Sequence, residues 1–103
     1  MTPPSRESIL ATLRAHHENL RAQGVKSLTL FGSFARDEPT PESDIDLMVE
    51  FDQPVGFFRF CDVQEYLQEI LDWPKIDLVT PEAIYPELED DIYSEAIHVF
   101  KAS

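Results

Sequence analysis

From Asp44 to Phe51 the chain reads Asp-Ile-Asp-Leu-Met-Val-Glu-Phe, an alternation with a period of two. An extended strand divides such a run into two faces: Ile45, Leu47, Val49 and Phe51 on one, Asp44, Asp46, Met48 and Glu50 on the other. Two carboxylates therefore share a face near the start of the strand. Held close, they repel and resist simultaneous ionisation unless a cation compensates them. Magnesium supplies such compensation through hard oxygen ligands, with triphosphate oxygens and water filling its other positions. Taken alone, the triplet is more simply a solvated strand edge in an acidic chain.

Its neighbours narrow the choice. Val25 to Phe31 is a second strand, rich in branched and aromatic residues, and Gly32 ends it. Glycine lets a backbone approach a phosphate closely, and exposed amides with the Ser33 hydroxyl can donate to phosphate oxygens. If Ser33 closes one strand and Asp44 opens an antiparallel neighbour, both reach the same rim of a sheet. Asp77 lies within Lys75-Ile76-Asp77-Leu78-Val79, a third strand on which Ile76 and Leu78 face the other way. Each signal has an ordinary structural explanation by itself; together they describe a site for a metal-nucleoside triphosphate.

The remaining elements frame these strands. Ser5 can cap a helix carrying Ile9, Leu10, Leu13 and Leu20 at steps of three and four, stopped by Gly24. Ser33 to Arg36 can form one helical turn, and Asp37 to Ser43 is a polar loop broken by Pro39 and Pro41. A helix is expected from about Val55 to Leu71, with Asp52 as cap and Phe57, Phe60, Cys61, Leu67, Ile70 and Leu71 on its apolar face. A turn after Pro81, a helix from Pro86 to about Glu95 using Leu88 and Ile92, and a last strand from Ile97 to Phe100 complete the reading. The fold class is α/β, a small mixed sheet flanked by helices. No internal repeat or linker divides the 103 residues, which suit a single domain, 1–103, with no separate substrate-binding domain.

Twenty Asp and Glu against eight Lys and Arg give a formal charge of -12. With the basic residues dispersed, stable nucleic acid binding is disfavoured, and a basic protein partner or bound divalent cations fit better. Acidity also serves plain solubility. The single Cys61 permits no internal disulfide, and no apolar run reaches the length of a membrane span, so a cytoplasmic location is expected. His16 and His17 read as helix surface or half-buried packing, not as metal ligands, His98 as a solvent-facing strand residue and Cys61 as a small core residue. Phe57, Phe58 and Phe60 are expected to supply core and interface area.

The run Gly32-Ser33-Phe34-Ala35-Arg36, followed by Asp44-Ile45-Asp46 with ten residues between Ser33 and Asp44, resembles the signature of the nucleotidyltransferase superfamily that includes DNA polymerase beta. Glu50 to Gly56, Lys75 to Thr80 and Glu95-Ala96-Ile97 are similar to the minimal nucleotidyltransferases paired with HEPN-domain toxins. The likeness runs from about Leu28 onward. One departure is Asp37-Glu38, where small relatives commonly carry glycine directly after the motif arginine; Asp tolerates the turn geometry, but it adds negative charge near a triphosphate.

The resemblance implies an antitoxin that transfers AMP from ATP to a tyrosine of a HEPN toxin, in a hetero-oligomer. In that scheme Asp44, Asp46 and Asp77 hold two Mg2+ ions, about 3.5–4 Å apart in such sites. Asp77 positions or deprotonates the acceptor hydroxyl, Gly32 and Ser33 hold the terminal phosphates, and Arg36 either contacts phosphate or pairs with the neighbouring acidic loop. Two other outcomes stay open: an antitoxin that blocks its toxin by binding alone, and transfer to a small molecule or a nucleic acid end.

Overall fold

The computed structural model describes residues 2–83 and 95–101. Helix α1 (Arg6–Ala15) begins as the sequence requires, with the Ser8 amide donating to the Ser5 hydroxyl at 3.1 Å. The expected single helix is in fact two. His16 leaves helical geometry, with φ -104° and ψ 17°, and α2 (His17–Ala22) follows. The His16 ring nitrogen Nδ1 lies 2.8 Å from the Thr12 carbonyl, and its ring meets Tyr66 edge-on, so His16 is a packing residue at a helix end.

Strands β1 (Val25–Phe31), β2 (Ile45–Phe51), β3 (Ile76–Val79) and β4 (Ile97–Lys101) form one sheet in the order β3-β2-β1-β4. β1 is antiparallel to both its neighbours, whereas β2 and β3 are parallel. A parallel pair needs a crossover between its strands, and helix α3 (Phe57–Leu71) supplies it. A 3-10 turn at Pro81–Ala83 follows β3. The mixed sheet with flanking helices is the expected fold class. The expected helix from Pro86 to about Glu95, with Leu88 and Ile92, lies outside the described residues.

Helix α1 packs on α3 and on β4, α2 on β1, and α3 on β3. Between them Ile9, Leu13, Leu20, Leu28, Leu30, Leu47, Val49, Val63 and Leu67 are fully buried. Arg14 Nε donates to the Val99 carbonyl at 3.0 Å, tying α1 to the edge strand.

α3 corrects two expectations. Its N-cap is Gly56 and not Asp52, because the Asp52 amide donates to the Gly24 carbonyl at 2.9 Å and keeps that residue beside the turn after α2. Its buried stripe is Val63, Leu67 and Leu71, at i, i+4 and i+8. The first turn precedes that stripe, so Phe57 and Phe58 are 75% and 83% exposed and do not belong to the core; Phe60 is partly buried against it. Cys61 is half-buried, outside the fully buried cluster. Among the described residues no helix is long and apolar enough to cross a membrane.

Candidate active site

The rim of the sheet where β1 ends and β2 begins collects the acids and the glycine turn. Phe31 pairs with Asp46 across the antiparallel ladder, so Ser33, two residues past Phe31, and Asp44, two before Asp46, project from the same edge. On the other side of β2, Asp46 pairs in parallel register with Asp77. Asp44 and Asp77 are exposed, Asp46 half-buried, while Ile76 and Leu78 point into the core.

After Gly32 the chain closes one tight turn: the Ala35 and Arg36 amides donate to the Gly32 carbonyl at 3.1 and 3.2 Å, and the Glu38 amide to the Ser33 carbonyl at 2.9 Å. Gly32 has φ 78°, a left-handed conformation that side chains resist. A second constraint was invisible in the sequence. A Cβ at position 32 would collide with the Asp46 carboxylate, lying 3.0 Å from its Cγ and 3.2 Å from its Cβ. Glycine here therefore clears the space in which Asp46 sits, in addition to opening the backbone. Asp37, which replaces the expected glycine, takes φ 60° and carries the loop through the same left-handed region.

The electrostatics centre on Asp46. Burial first, then the neighbouring charges of Asp77 and Asp44, push its carboxyl from 3.8 up to about 6; a hydrogen bond shared with Asp77 acts in the same direction, and Arg36 opposes them. The Arg36 guanidinium is otherwise engaged, at 2.7 Å from Glu95 and 3.9 Å from Glu38. The local acidic partner Glu38 was legible in the sequence; Glu95, 59 residues away, was not.

The donor set suits a hard divalent cation. Asp44, Asp46 and Asp77 offer only carboxylate oxygens, and the field that raises proton affinity at Asp46 also favours a metal ion. As placed, no three His, Cys, Asp or Glu side chains among the described residues form a metal-holding group by themselves. Elsewhere, the His17 ring stacks on Phe100 with centroids 4.2 Å apart, and the exposed His98 contacts the Thr29 hydroxyl, so both are engaged in packing.

Comparison with known proteins places this geometry. The sequence profile of the nucleotidyltransferase domain matches residues 13–99. A relative from Methanocaldococcus jannaschii, assigned to the protein adenylyltransferases, is 44% identical over 91 residues, 84% of this chain and 90% of its own length. The protein adenylyltransferase MntA of Thermococcus cleftensis is 31% identical over 94 residues, covering 90% of this chain and 94% of MntA. Among solved structures, one described as a minimal nucleotidyltransferase superimposes with a TM-score of 0.78 at 26% identity, over 94% of this chain and 98% of that one. The complex of a tri-AMPylated HEPN toxin with its MNT antitoxin, from Shewanella oneidensis, shares the fold at a TM-score of 0.64 and 18% identity, over 91% and 73% of the two chains.

Proposed function

Because this chain belongs to the nucleotidyltransferase domain family, we propose that it transfers AMP from ATP to a tyrosine hydroxyl of a partner HEPN-domain toxin and so neutralises it. The observation that carries this reading is the register pair Asp46 and Asp77 beside Asp44, with Gly32 cut away beneath the Asp46 carboxylate. Three mutually repelling carboxylates on one rim cost stability, and a purely structural surface has no need of them. The relatives named for protein adenylylation match nearly their whole length, which supports a protein acceptor.

Asp44, Asp46 and Asp77 would hold Mg2+, which when bound offsets charge on the α-phosphate and on the departing pyrophosphate. The chain's own groups do the rest. The turn from Gly32 to Ser33 would receive the terminal phosphates through backbone N–H groups and the Ser33 hydroxyl. Asp77, exposed at the rim, would orient the tyrosine hydroxyl and accept its proton. The tyrosine oxygen then forms a bond to the α-phosphorus as the bond from that phosphorus to the bridging oxygen breaks, and pyrophosphate leaves with the electron pair.

The test is transfer of label from α-32P-ATP to the toxin. Replacing Asp44 and Asp46 together by Asn should lower the rate on the order of 10²–10³-fold or more with the fold unchanged by circular dichroism. Undiminished labelling would overturn the assignment. A second reading, neutralisation by binding alone, is favoured by one observation: Glu95 and Glu38 already occupy Arg36 and weaken its offer to phosphate. Full toxin inhibition by the double variant without ATP would select it.

A further inference from the structure

Trp73 is the only tryptophan of the chain, and it is almost completely buried, 2% exposed, just before β3. Its indole N–H donates to the Ser43 carbonyl at 3.0 Å. Its ring meets Phe34 edge to face with centroids 6.1 Å apart, and Phe34 is itself fully buried. Ser43 immediately precedes Asp44, and Phe34 immediately follows Ser33. One side chain from a third segment thus touches the residue adjacent to each arm of the site.

The contacts around it run the same way. The Ile45 amide donates to the Lys75 carbonyl at 2.8 Å, and the Lys75 ammonium donates to the Glu42 carbonyl at 3.4 Å. The stretch from Trp73 to Lys75 therefore grips the stretch from Glu42 to Ile45 on both sides of Asp44. The loop between Ser33 and Asp44 contains Pro39, Pro41 and an exposed tip; the Glu38 amide donates to the Ser33 carbonyl at 2.9 Å, the Ser43 amide to the Thr40 carbonyl at 3.0 Å, and the β1–β2 ladder pairs Phe31 with Asp46 at its base. Trp73 adds a tie between the two ends from below, by one directed hydrogen bond to the Asp44 side and one aromatic contact to the Ser33 side.

We propose that Trp73 is a positioning residue for the nucleotide site, holding the glycine turn and the Asp44/Asp46 strand in the spacing that a Mg-triphosphate spans. The inference rests on the function proposed above. A filler of the core would need only the volume of the ring; a positioning role needs the N–H donor at Ser43.

The experiment is therefore a titration with Mg2+ and the non-transferable analogue α,β-methylene-ATP, followed by calorimetry and by tryptophan emission. Three proteins are compared: the native chain, Trp73→Phe, and a chain in which benzothienylalanine replaces Trp73, exchanging the N–H for sulfur at nearly constant shape. The inference expects native emission to change in step with the calorimetric binding curve. It also expects both replacements to weaken binding roughly tenfold, with the sulfur analogue, which keeps the ring's volume, losing less stability than Trp73→Phe. Equal affinity in the native and sulfur-substituted chains, with emission unmoved by the analogue, would overturn the role of Trp73 while leaving the proposed function standing. No binding by the native chain would overturn the proposed function itself, and this inference with it.

Discussion

At the rim where β2 begins, Asp44, Asp46 and Asp77 stand beside a glycine turn; at the rim where β2 ends, about 17 Å along the strand from Asp46, Phe51, Pro54, Val55, Phe57 and Phe60 border a cavity of about 610 Å3. The first is charged. The second is concave, with apolar and polar lining in similar measure, Asp52, Gln53, Thr80 and Glu82 among its polar members. None of the three proposed catalytic acids lines that hollow. The difference teaches that the proposed chemistry and this hollow lie at opposite ends of β2. At the proposed site a triphosphate would be gathered by charge and hydrogen-bond donors, with its own oxygens completing the metal's coordination.

Substitutions at the two rims should therefore behave differently. The largest effect is expected from Gly32→Ala. The added methyl meets the Asp46 carboxylate and must also take a positive φ. The left-handed backbone alone costs about 1–2 kcal/mol, and displacement of Asp46 should lower transfer by roughly 10–100-fold. Urea unfolding and labelled-ATP assays check both, and wild-type rates in a folded Gly32→Ala protein would break the contrast.

Next comes the pH dependence of stability without metal. Asp46 titrates near 6 when folded and near 3.8 otherwise, so between those values the native chain holds a proton that the unfolded chain releases. Its contribution is fully favourable below about pH 4 and is lost as pH rises through about 6. Asp46→Asn should remove that loss, leaving the variant the more stable protein at pH 7.5 and the gap smaller at pH 4.5. Paired urea melts at the two pH values measure the difference, and a constant gap would show that neither burial nor the neighbouring acids raise the Asp46 carboxyl.

A smaller gain is expected from Asp37→Gly. It relieves a side chain held at φ 60° and removes a charge beside the site, for about 0.5–1 kcal/mol of added stability. Thermal unfolding tests the gain, and tighter Mg-ATP binding should accompany it. The smallest effect belongs to the opposite rim. Phe57→Ser with Phe58→Ser removes two side chains that are 75% and 83% exposed, so stability should change by no more than about 0.5 kcal/mol and Mg-ATP affinity not at all. A loss above about 2 kcal/mol would mean that these rings pack as a core does.

Much of this was legible locally. The alternation from Asp44 to Phe51 made a strand with paired carboxylates, because period two is a property of the backbone itself. Gly32 ended β1, Ser5 capped α1, and Ser33 to Arg36 closed a turn, each through chemistry within four residues. What failed locally failed for a common reason. Asp52 had every credential of a cap but was claimed by Gly24, a hydrogen bond 28 residues back in the chain. Phe57 and Phe58 looked like core, yet the buried stripe of α3 begins at Val63, after a first turn that stays exposed at both positions.

The sequence by itself determined which residues could do chemistry here and that Asp44 and Asp46 share a face, since spacing along one strand sets both. Only the tertiary structure decided that Asp77 lies in register with Asp46, that Gly32 must be bare because a carboxylate rests above it, and that Trp73 joins the two arms. Those are relations between segments 14 to 39 residues apart. Ladder hydrogen bonds and close packing fix them, and neither leaves a periodic mark in the chain.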